Sequence, residues 1–198
     1  MPVRVPDTVV LATRNAHKLR EFGRLLAPAG IAVEALPAEV ELPLELGDSF
    51  EASALPKARA AAVATRRMAI ADDSGIEAEA LGGRPGVYSA RYAGPAATDQ
   101  ENLDKLLAEA PAGSGLRYVC ALALVDPSAG EETVFFGECR GVLAAQVAGA
   151  GGFGYDPAFQ PVEDPQGRTM AELSDVEKDL ISHRGRAVLA LLAARDSD

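Results

Sequence analysis

At 198 residues the chain is long enough for one large domain or two small lobes sharing a core, and a 48% apolar composition marks a globular protein. A formal charge of −10 argues against general nucleic-acid affinity, which needs a basic face, and a phosphate ligand would need a local cluster of cations and a metal. No apolar run approaches the ~20 residues of a membrane helix. Met1–Asp7 carries no secretory pattern, and Cys120 and Cys139 stand far apart without a Cys-x-x-Cys, so a cytoplasmic chain with buried, reduced thiols is expected.

Taken in order, Thr8–Thr13 reads as a β-branched, buried first strand. It runs into Arg14-Asn15-Ala16-His17-Lys18 and then a helix with Leu19, Phe22, Leu25 and Leu26 on one face, stopped by Pro28 and Gly30. A strand, a short polar turn and a helix start expose backbone N–H groups toward an anion. Thr13, Asn15 and Lys18 add a hydroxyl, an amide and an ammonium there; the alternative for Asn15 is ordinary helix capping. Ile31–Leu36 reads as a second strand, followed by an acidic loop, Pro37–Asp48, with Glu39, Glu41 and Glu45. Asp48-Ser-Phe-Glu51 has the form of a capping box opening an Ala-rich helix that carries Lys57 and runs to about Arg66.

Met68–Ala71 is a short apolar run that reads as a buried strand ending in a turn, Asp72-Asp73-Ser74-Gly75. Alternation points Asp72 and Asp73 to opposite faces, with different tasks; turn composition alone would also account for them. Ile76–Leu81 reads as another strand and Gly82–Gly86 as a turn. Thr98-x-x-Glu101 caps a helix with Leu103, Leu106 and Leu107 inward, and Leu116–Val125 with Glu132–Val142 forms a hairpin.

Gly149–Gly154 matches Gly-x-Gly-x-x-Gly formally, but Tyr155-Asp156-Pro157 cannot continue the helix that fingerprint requires. The segment reads instead as a loop for close backbone approach, with Phe153 and Tyr155 as exposed aromatics. Ser174-x-x-Glu177 opens a short helix bearing Lys178, and His183-Arg184-Gly185-Arg186 leads into a last helix. No repeat or linker interrupts the chain, so residues 1–198 are expected to form a single domain. Lysine is scarce, at Lys18, Lys57, Lys105 and Lys178 only, which draws attention to each.

Five stretches together carry a resemblance: Ala12-Thr-Arg-Asn15 with Lys18; Ala71-Asp-Asp-Ser-Gly75; Leu81–Arg91; Gly151-Gly-Phe-Gly-Tyr-Asp-Pro157; and Ile181-Ser-His-Arg-Gly185. In this order and spacing the chain resembles the inosine/xanthosine triphosphate pyrophosphatases, which remove non-standard purine nucleotides. The resemblance implies an α/β fold, an elongated mixed β-sheet with flanking helices in two lobes with a nucleotide cleft between them, and a homodimer. It implies that Thr13, Arg14, Asn15, Ala16, His17 and Lys18 bind triphosphate, that Asp73 activates water and touches Mg²⁺, and that Ser74 contacts substrate. Phe153, Gly154, Tyr155 and Asp156 would line base and sugar, with Lys178, His183 and Arg184 closing the pocket.

The chain departs from that family twice. Thr13-Arg14-Asn15 stands where Thr-Gly-Asn is common, so Arg14 must project outward or contribute its charge. Phe50-Glu51-Ala52-Ser53 replaces Phe-x-Glu-Asn, which shifts a second metal ligand onto Glu45. Beside the resemblance, Glu45 and Asp73 suit Mg²⁺, and Lys18, Lys57 and Lys178 suit the charge of a departing pyrophosphate. Donors from Arg184, His183 or backbone N–H groups would welcome a purine 6-keto oxygen and reject an adenine amino group. Two other readings are a phosphatase working through a phospho-aspartate, disfavoured by the lack of Asp-x-Asp, and a nucleotide-binding regulator without turnover.

Overall fold

The computed structural model describes residues 5–44 and 47–195, so Glu45 lies outside the described residues. Six strands form one mixed sheet in the order β2-β1-β3-β4-β5-β6. They are β1 (Thr8–Leu11), β2 (Ala32–Ala35), β3 (Ala69–Ala78), β4 (Gly115–Asp126), β5 (Glu131–Leu143) and β6 (Phe159–Pro161). β1 runs parallel to both β2 and β3, with Leu11 opposite Ala35 and Ile70, whereas β6 pairs antiparallel with β5. The helices are α1 (Ala16–Leu26), α2 (Phe50–Thr65), α3 (Asp99–Glu109), α4 (Asp175–Ile181) and α5 (His183–Arg195).

The backbone divides into two compact units. The first takes residues up to Asp73, Cys120–Gly137 and the chain from Arg184; the second takes Ser74–Val119 and Glu138–His183. Each has its own core. In the first, Val9, Leu11, Phe22, Leu26, Ile70, Leu122, Val188 and Leu191 pack together. In the second, Ile76, Leu103, Leu106, Leu116, Tyr118, Tyr155, Phe159 and Met170 do so. Burying an aromatic such as Phe22 completely, as here, is worth about 1.5–3 kcal/mol of transfer free energy.

Local chemistry explains the ends of α1. Its apolar stripe buries Phe22 and Leu26, Pro28 sits in a single 3₁₀ turn, Ala27–Ala29, and Gly30 takes the left-handed conformation at φ 75° that ends the run. The capping box predicted at Thr98 forms with reciprocal bonds to Glu101, and the helix start read at Ser174 is closed the same way by Glu177. β4 and β5 are neighbours joined by a short turn, where Asp126 Oδ1 accepts from the Ser128 and Ala129 N–H groups.

Three expectations change. The central strand does not turn at Asp72: β3 continues through Asp72-Asp73-Ser74-Gly75 to Ala78, absorbing the strand read over Ile76–Leu81, and Glu79–Leu81 is a 3₁₀ turn. A turn would leave both carboxylates in water, whereas here each has an internal cation. At α2 the N-cap is Ser49, accepting from the Ala52 N–H, rather than Asp48. Tyr155 is buried, its hydroxyl donating to the Ser89 carbonyl at 2.8 Å, because the loop turns its ring into the second core.

α2 ends at Arg66 with φ 54°, a left-handed position that glycine fills most easily. The side chain is exposed and the left-handed cost falls on its Cβ. Arg66→Gly is expected to raise stability by about 0.5–1 kcal/mol, the relief slightly exceeding the entropy glycine adds to the unfolded chain. Urea denaturation of parent and variant measures it, and an unchanged or lower midpoint would refute the strain.

Candidate active site

In the first unit the turn after β1 is built from side-chain bonds to backbone. Thr13 Oγ1 accepts from the Asn15 N–H at 3.1 Å, and Asn15 Oδ1 accepts from the His17 and Lys18 N–H groups at 2.8 and 3.2 Å. Asn15 therefore caps α1, with Ala16 as its first residue. His17 remains exposed, its Nδ1 at 2.9 Å from an Arg20 guanidinium nitrogen. The Arg14 guanidinium gathers the acidic loop, donating to the carbonyls of Leu36, Pro37, Ala38 and Val40 at 2.6–3.1 Å. That loop edges a groove of about 710 Å³ with Glu34, Glu39, Glu41, Thr65 and Arg67 among its walls; among the described residues, none of those read from the sequence as binding substrate or metal lines it.

Lys18 turns from the first turn of α1 to β3, where its ammonium meets Asp72 Oδ2 at 2.6 Å and the Asp72 carbonyl at 3.4 Å. Lys57 reaches the same carbonyl from α2 at 3.0 Å and Asp73 Oδ1 at 3.3 Å. The strand alternation holds: the two carboxylates engage different cations on opposite faces of β3. Asp72 is fully enclosed, its side chain 0% exposed, against 10% for Asp73.

Further partners come from far along the chain. The Arg184 Nε lies 3.4 Å from Asp72 Oδ2 while its Nη1 donates to Glu21 at 2.9 Å, and the Cys120 thiol donates to Asp72 Oδ1 at 3.0 Å. Burial alone would raise the Asp72 carboxyl, but the charges of Lys18 and Arg184, with the hydrogen bonds from Lys18 and Cys120, outweigh it and hold the group far below the carboxylate range. Burial and the Asp72 charge push the Cys120 thiol well up, so it stays a protonated donor.

The second unit has a parallel arrangement. Asp156 Oδ2 accepts from the Lys178 ammonium at 2.8 Å and from the Phe153 N–H at 3.0 Å, and its Oδ1 accepts from the Tyr118 hydroxyl at 3.1 Å. Lys178 lies over the Phe153 ring, 5.5 Å from its centre. Gly154 donates to Asp99 Oδ2 at 3.1 Å. Gly152, at φ 68°, leaves the space where a Cβ would strike the Asp156 carboxylate, so the close approach read from the glycine run is made by the protein's own side chain. His183 is buried and stacks on Tyr118. Ser74, half-buried in β3, is the first residue of this unit.

The structure thus brings Lys18, Lys57, Asp73 and Arg184 into one charged network with Asp72, and Phe153, Asp156, Lys178 and His183 into another. Lys105, the fourth lysine, donates to the Tyr92 carbonyl at 2.8 Å and covers that ring, a packing role. Sequence reasoning passed over Glu21 and Tyr118, and read Cys120 only as a buried thiol. Glu21 stands three residues after Lys18 on the buried side of α1, and Tyr118 is the one hydroxyl-bearing residue of β4; a buried hydroxyl or carboxylate needs a partner, which was the available signal.

Two expectations follow from this geometry. Asp72→Asn leaves the buried Arg184 and the partly buried Lys18 without their shared anion and is expected to cost about 3–5 kcal/mol, measured by urea unfolding at neutral pH. Because the folded carboxyl is depressed, its contribution is present above the ordinary aspartate value of 3.8 and is lost as pH falls below it. The gap between parent and variant should therefore narrow in acid; a constant gap would remove Asp72 from the network's charge balance. Arg14→Ala releases partly exposed carbonyls that water can satisfy, so a cost of only about 1–3 kcal/mol is expected. Hydrogen exchange at residues 36–41 should accelerate while exchange in β4 does not, and uniform protection would contradict the clamp.

Comparison with known proteins places this geometry in a lineage. A family model described as the Ham1 family matches residues 9–194. The dITP/XTP pyrophosphatase of Yersinia pseudotuberculosis is 48% identical, with 96% of this chain and 98% of that protein aligned. The protein of the same name from Frankia alni is 50% identical, with 90% and 92% aligned. Among solved structures, a HAM1 protein from Coxiella burnetii superposes with a TM-score of 0.81 at 38% identity, over 94% of this chain and 96% of that one. A nucleoside-triphosphatase / dITP/XTP pyrophosphatase from Mycobacterium abscessus gives 0.69 at 44% identity, over 93% and 98%. Sequence and fold agree over nearly the whole length, and the chain belongs to the Ham1 family.

Proposed function

We propose that this chain is a nucleoside triphosphate pyrophosphatase, hydrolysing the triphosphates of inosine, deoxyinosine and xanthosine to monophosphate and pyrophosphate and so cleansing the nucleotide pool. The observation that carries the reading is the meeting of Lys18 and Lys57 on the Asp72 carbonyl, beside the Asp73 carboxylate. Two of only four lysines, drawn from different helices, supply an acidic protein with the local positive charge a polyphosphate requires. Relatives at 45–50% identity bearing the name dITP/XTP pyrophosphatase support the substrate class.

Mg²⁺ fits the donor set. Asp73 offers a hard carboxylate oxygen at the end of the Lys57 contact. That suits a cation taking one or two carboxylates and completing its shell with phosphate oxygens and water. Asp73, with Glu45 as second ligand, would hold it; when bound, it neutralises phosphate charge and acidifies water.

The chain's own residues divide the remaining work. Lys18 and Lys57 draw the phosphates, aided by Thr13, Asn15 and the start of α1. Asp73 takes a proton from the water that attacks the α-phosphorus. A water oxygen–phosphorus bond forms as the anhydride bond between α- and β-phosphates breaks, and the electron pair leaves on pyrophosphate, whose charge the lysines stabilise. Phe153 stacks on the purine, while Lys178 and His183 present donors to its 6-keto oxygen; an adenine amino group would face them donor to donor. The Arg184 guanidinium, bonded to Glu21 and Asp72, serves this site by holding Asp72. On this reading the enzyme works in the cytoplasm as a homodimer on free nucleotides, without membrane or nucleic-acid partners.

Incubation with inosine triphosphate and Mg²⁺ should yield inosine monophosphate and pyrophosphate in equal amounts. Orthophosphate instead would indicate a phospho-aspartate phosphatase, and no product a binding protein. Asp73→Asn keeps the shape but cannot accept the proton, so kcat should fall by about 10²–10⁴-fold with the fold retained by circular dichroism. Activity within a few-fold of the parent would take the base role away from Asp73.

A further inference from the structure

We propose that Tyr118 is the positioning residue for base recognition, orienting the His183 ring through its face and the Asp156–Lys178 pair through its hydroxyl. The proposal rests on the reading above, in which Phe153, Lys178 and His183 meet the purine. Tyr118 lies on β4, with its ring between two others: His183 at 4.6 Å and 14° on one contact, Phe159 at 4.4 Å and 29° on the other. Phe159 is fully buried in β6, so the stack is anchored in the second core and ends on the imidazole. Offset stacking at these separations fixes a ring's plane as well as its distance.

The hydroxyl does the second task. It donates to Asp156 Oδ1, while Oδ2 of the same carboxylate takes the Lys178 ammonium and the Phe153 N–H. Asp156 is 4% exposed, so no bulk water stands ready to replace a lost donor. With the Tyr118 hydroxyl in place the carboxylate plane is set by donors at both oxygens, and the ammonium it holds is aimed. Without it, one oxygen loses its fixed partner, the carboxylate can rotate about its last bond, and Lys178 and the Phe153 backbone move with it. Displacement of about 1 Å in such a donor is enough to weaken recognition of one oxygen on a purine. Tyr118, Phe153, Asp156, Lys178 and His183 all belong to the second unit, so the effect should fall on the base.

Tyr118→Phe removes one oxygen and keeps both stacks; Tyr118→Leu removes the stacks too. For Tyr118→Phe we expect KM for inosine triphosphate to rise about 5–20-fold, the worth of one hydrogen bond, with kcat within about threefold of the parent. The ratio of kcat/KM for inosine over adenosine triphosphate should fall by a similar factor. Inhibition by inorganic triphosphate, which has no base, should be unchanged; a merely structural defect would weaken it equally. Tyr118→Leu should lower the ratio further. Should Tyr118→Leu fail to fold, the Tyr118→Phe measurements decide alone. Lys178→Met in the same assay separates the two levels of the argument. If it raises KM and Tyr118→Phe leaves KM and the ratio at parental values, the Tyr118 proposal is overturned and the base-site reading stands. If neither variant moves KM, the base-site reading itself is overturned.

Discussion

A carboxylate with no exposure to water in the middle of a sheet is the constraint on which the first unit depends. Taking Asp72 out of water costs several kcal/mol, and only close, well-oriented cations and donors offset that. Lys18 brings α1 against β3, Arg184 brings the start of α5, and Cys120 supplies a thiol from β4. Glu21 then takes a second face of the Arg184 guanidinium, so that two carboxylates balance the two cations. Four elements are thereby held to one point by polar contacts whose loss would leave uncompensated charge, whereas the loss of one apolar contact would leave only a small cavity. Asp73, the next residue along the strand, inherits that rigidity while facing the other way.

The same dependence explains what could be read in the sequence. The capping box at Thr98, the helix start at Ser174, the β4–β5 turn, the apolar stripe of α1 and the strand after Gly30 were legible because each is written in residues a few positions apart. The resemblance built on five separated stretches was borne out by the family match over residues 9–194 and by the mixed sheet itself. The course of β3 was not legible. Asp-Asp-Ser-Gly has turn composition, and the reason it remains extended is a set of partners up to 112 positions away. A local pattern cannot report that a distant arginine will neutralise an aspartate. Tyr155 was misplaced for a related reason: beside four glycines it has the neighbours of an exposed loop, yet its hydroxyl finds the Ser89 carbonyl 66 positions earlier. The Arg14 side chain is a third case, since the carbonyls it gathers lie beyond an intervening helix and strand.

The second unit solves its own problem with the same device. Asp156 is buried in a glycine-rich loop and paired with a lysine, and its remaining acceptor capacity goes to a backbone N–H and a tyrosine hydroxyl. In each unit, then, an internal carboxylate holds a lysine ammonium at a fixed place before any ligand is present. A lysine side chain loses roughly 2 kcal/mol of rotamer freedom when it is immobilised, and here folding has already spent it.

That arrangement resolves the apparent conflict between a net charge of −10 and a polyanionic substrate. Net charge acts over distances that salt screens to about 8 Å under physiological conditions, so it governs solubility and encounter more than the contact itself. At contact range the deciding quantity is which atoms face the phosphate, and an ammonium fixed by an internal aspartate is held at one place. Replacing such an aspartate with a neutral residue would raise the local positive charge and still weaken selective binding, because the ammonium would no longer be held where one phosphate oxygen sits. On the proposed reading, position of charge is therefore worth more than its amount, and the acidic residues beside the lysines would belong to the anion site rather than be a defect in it.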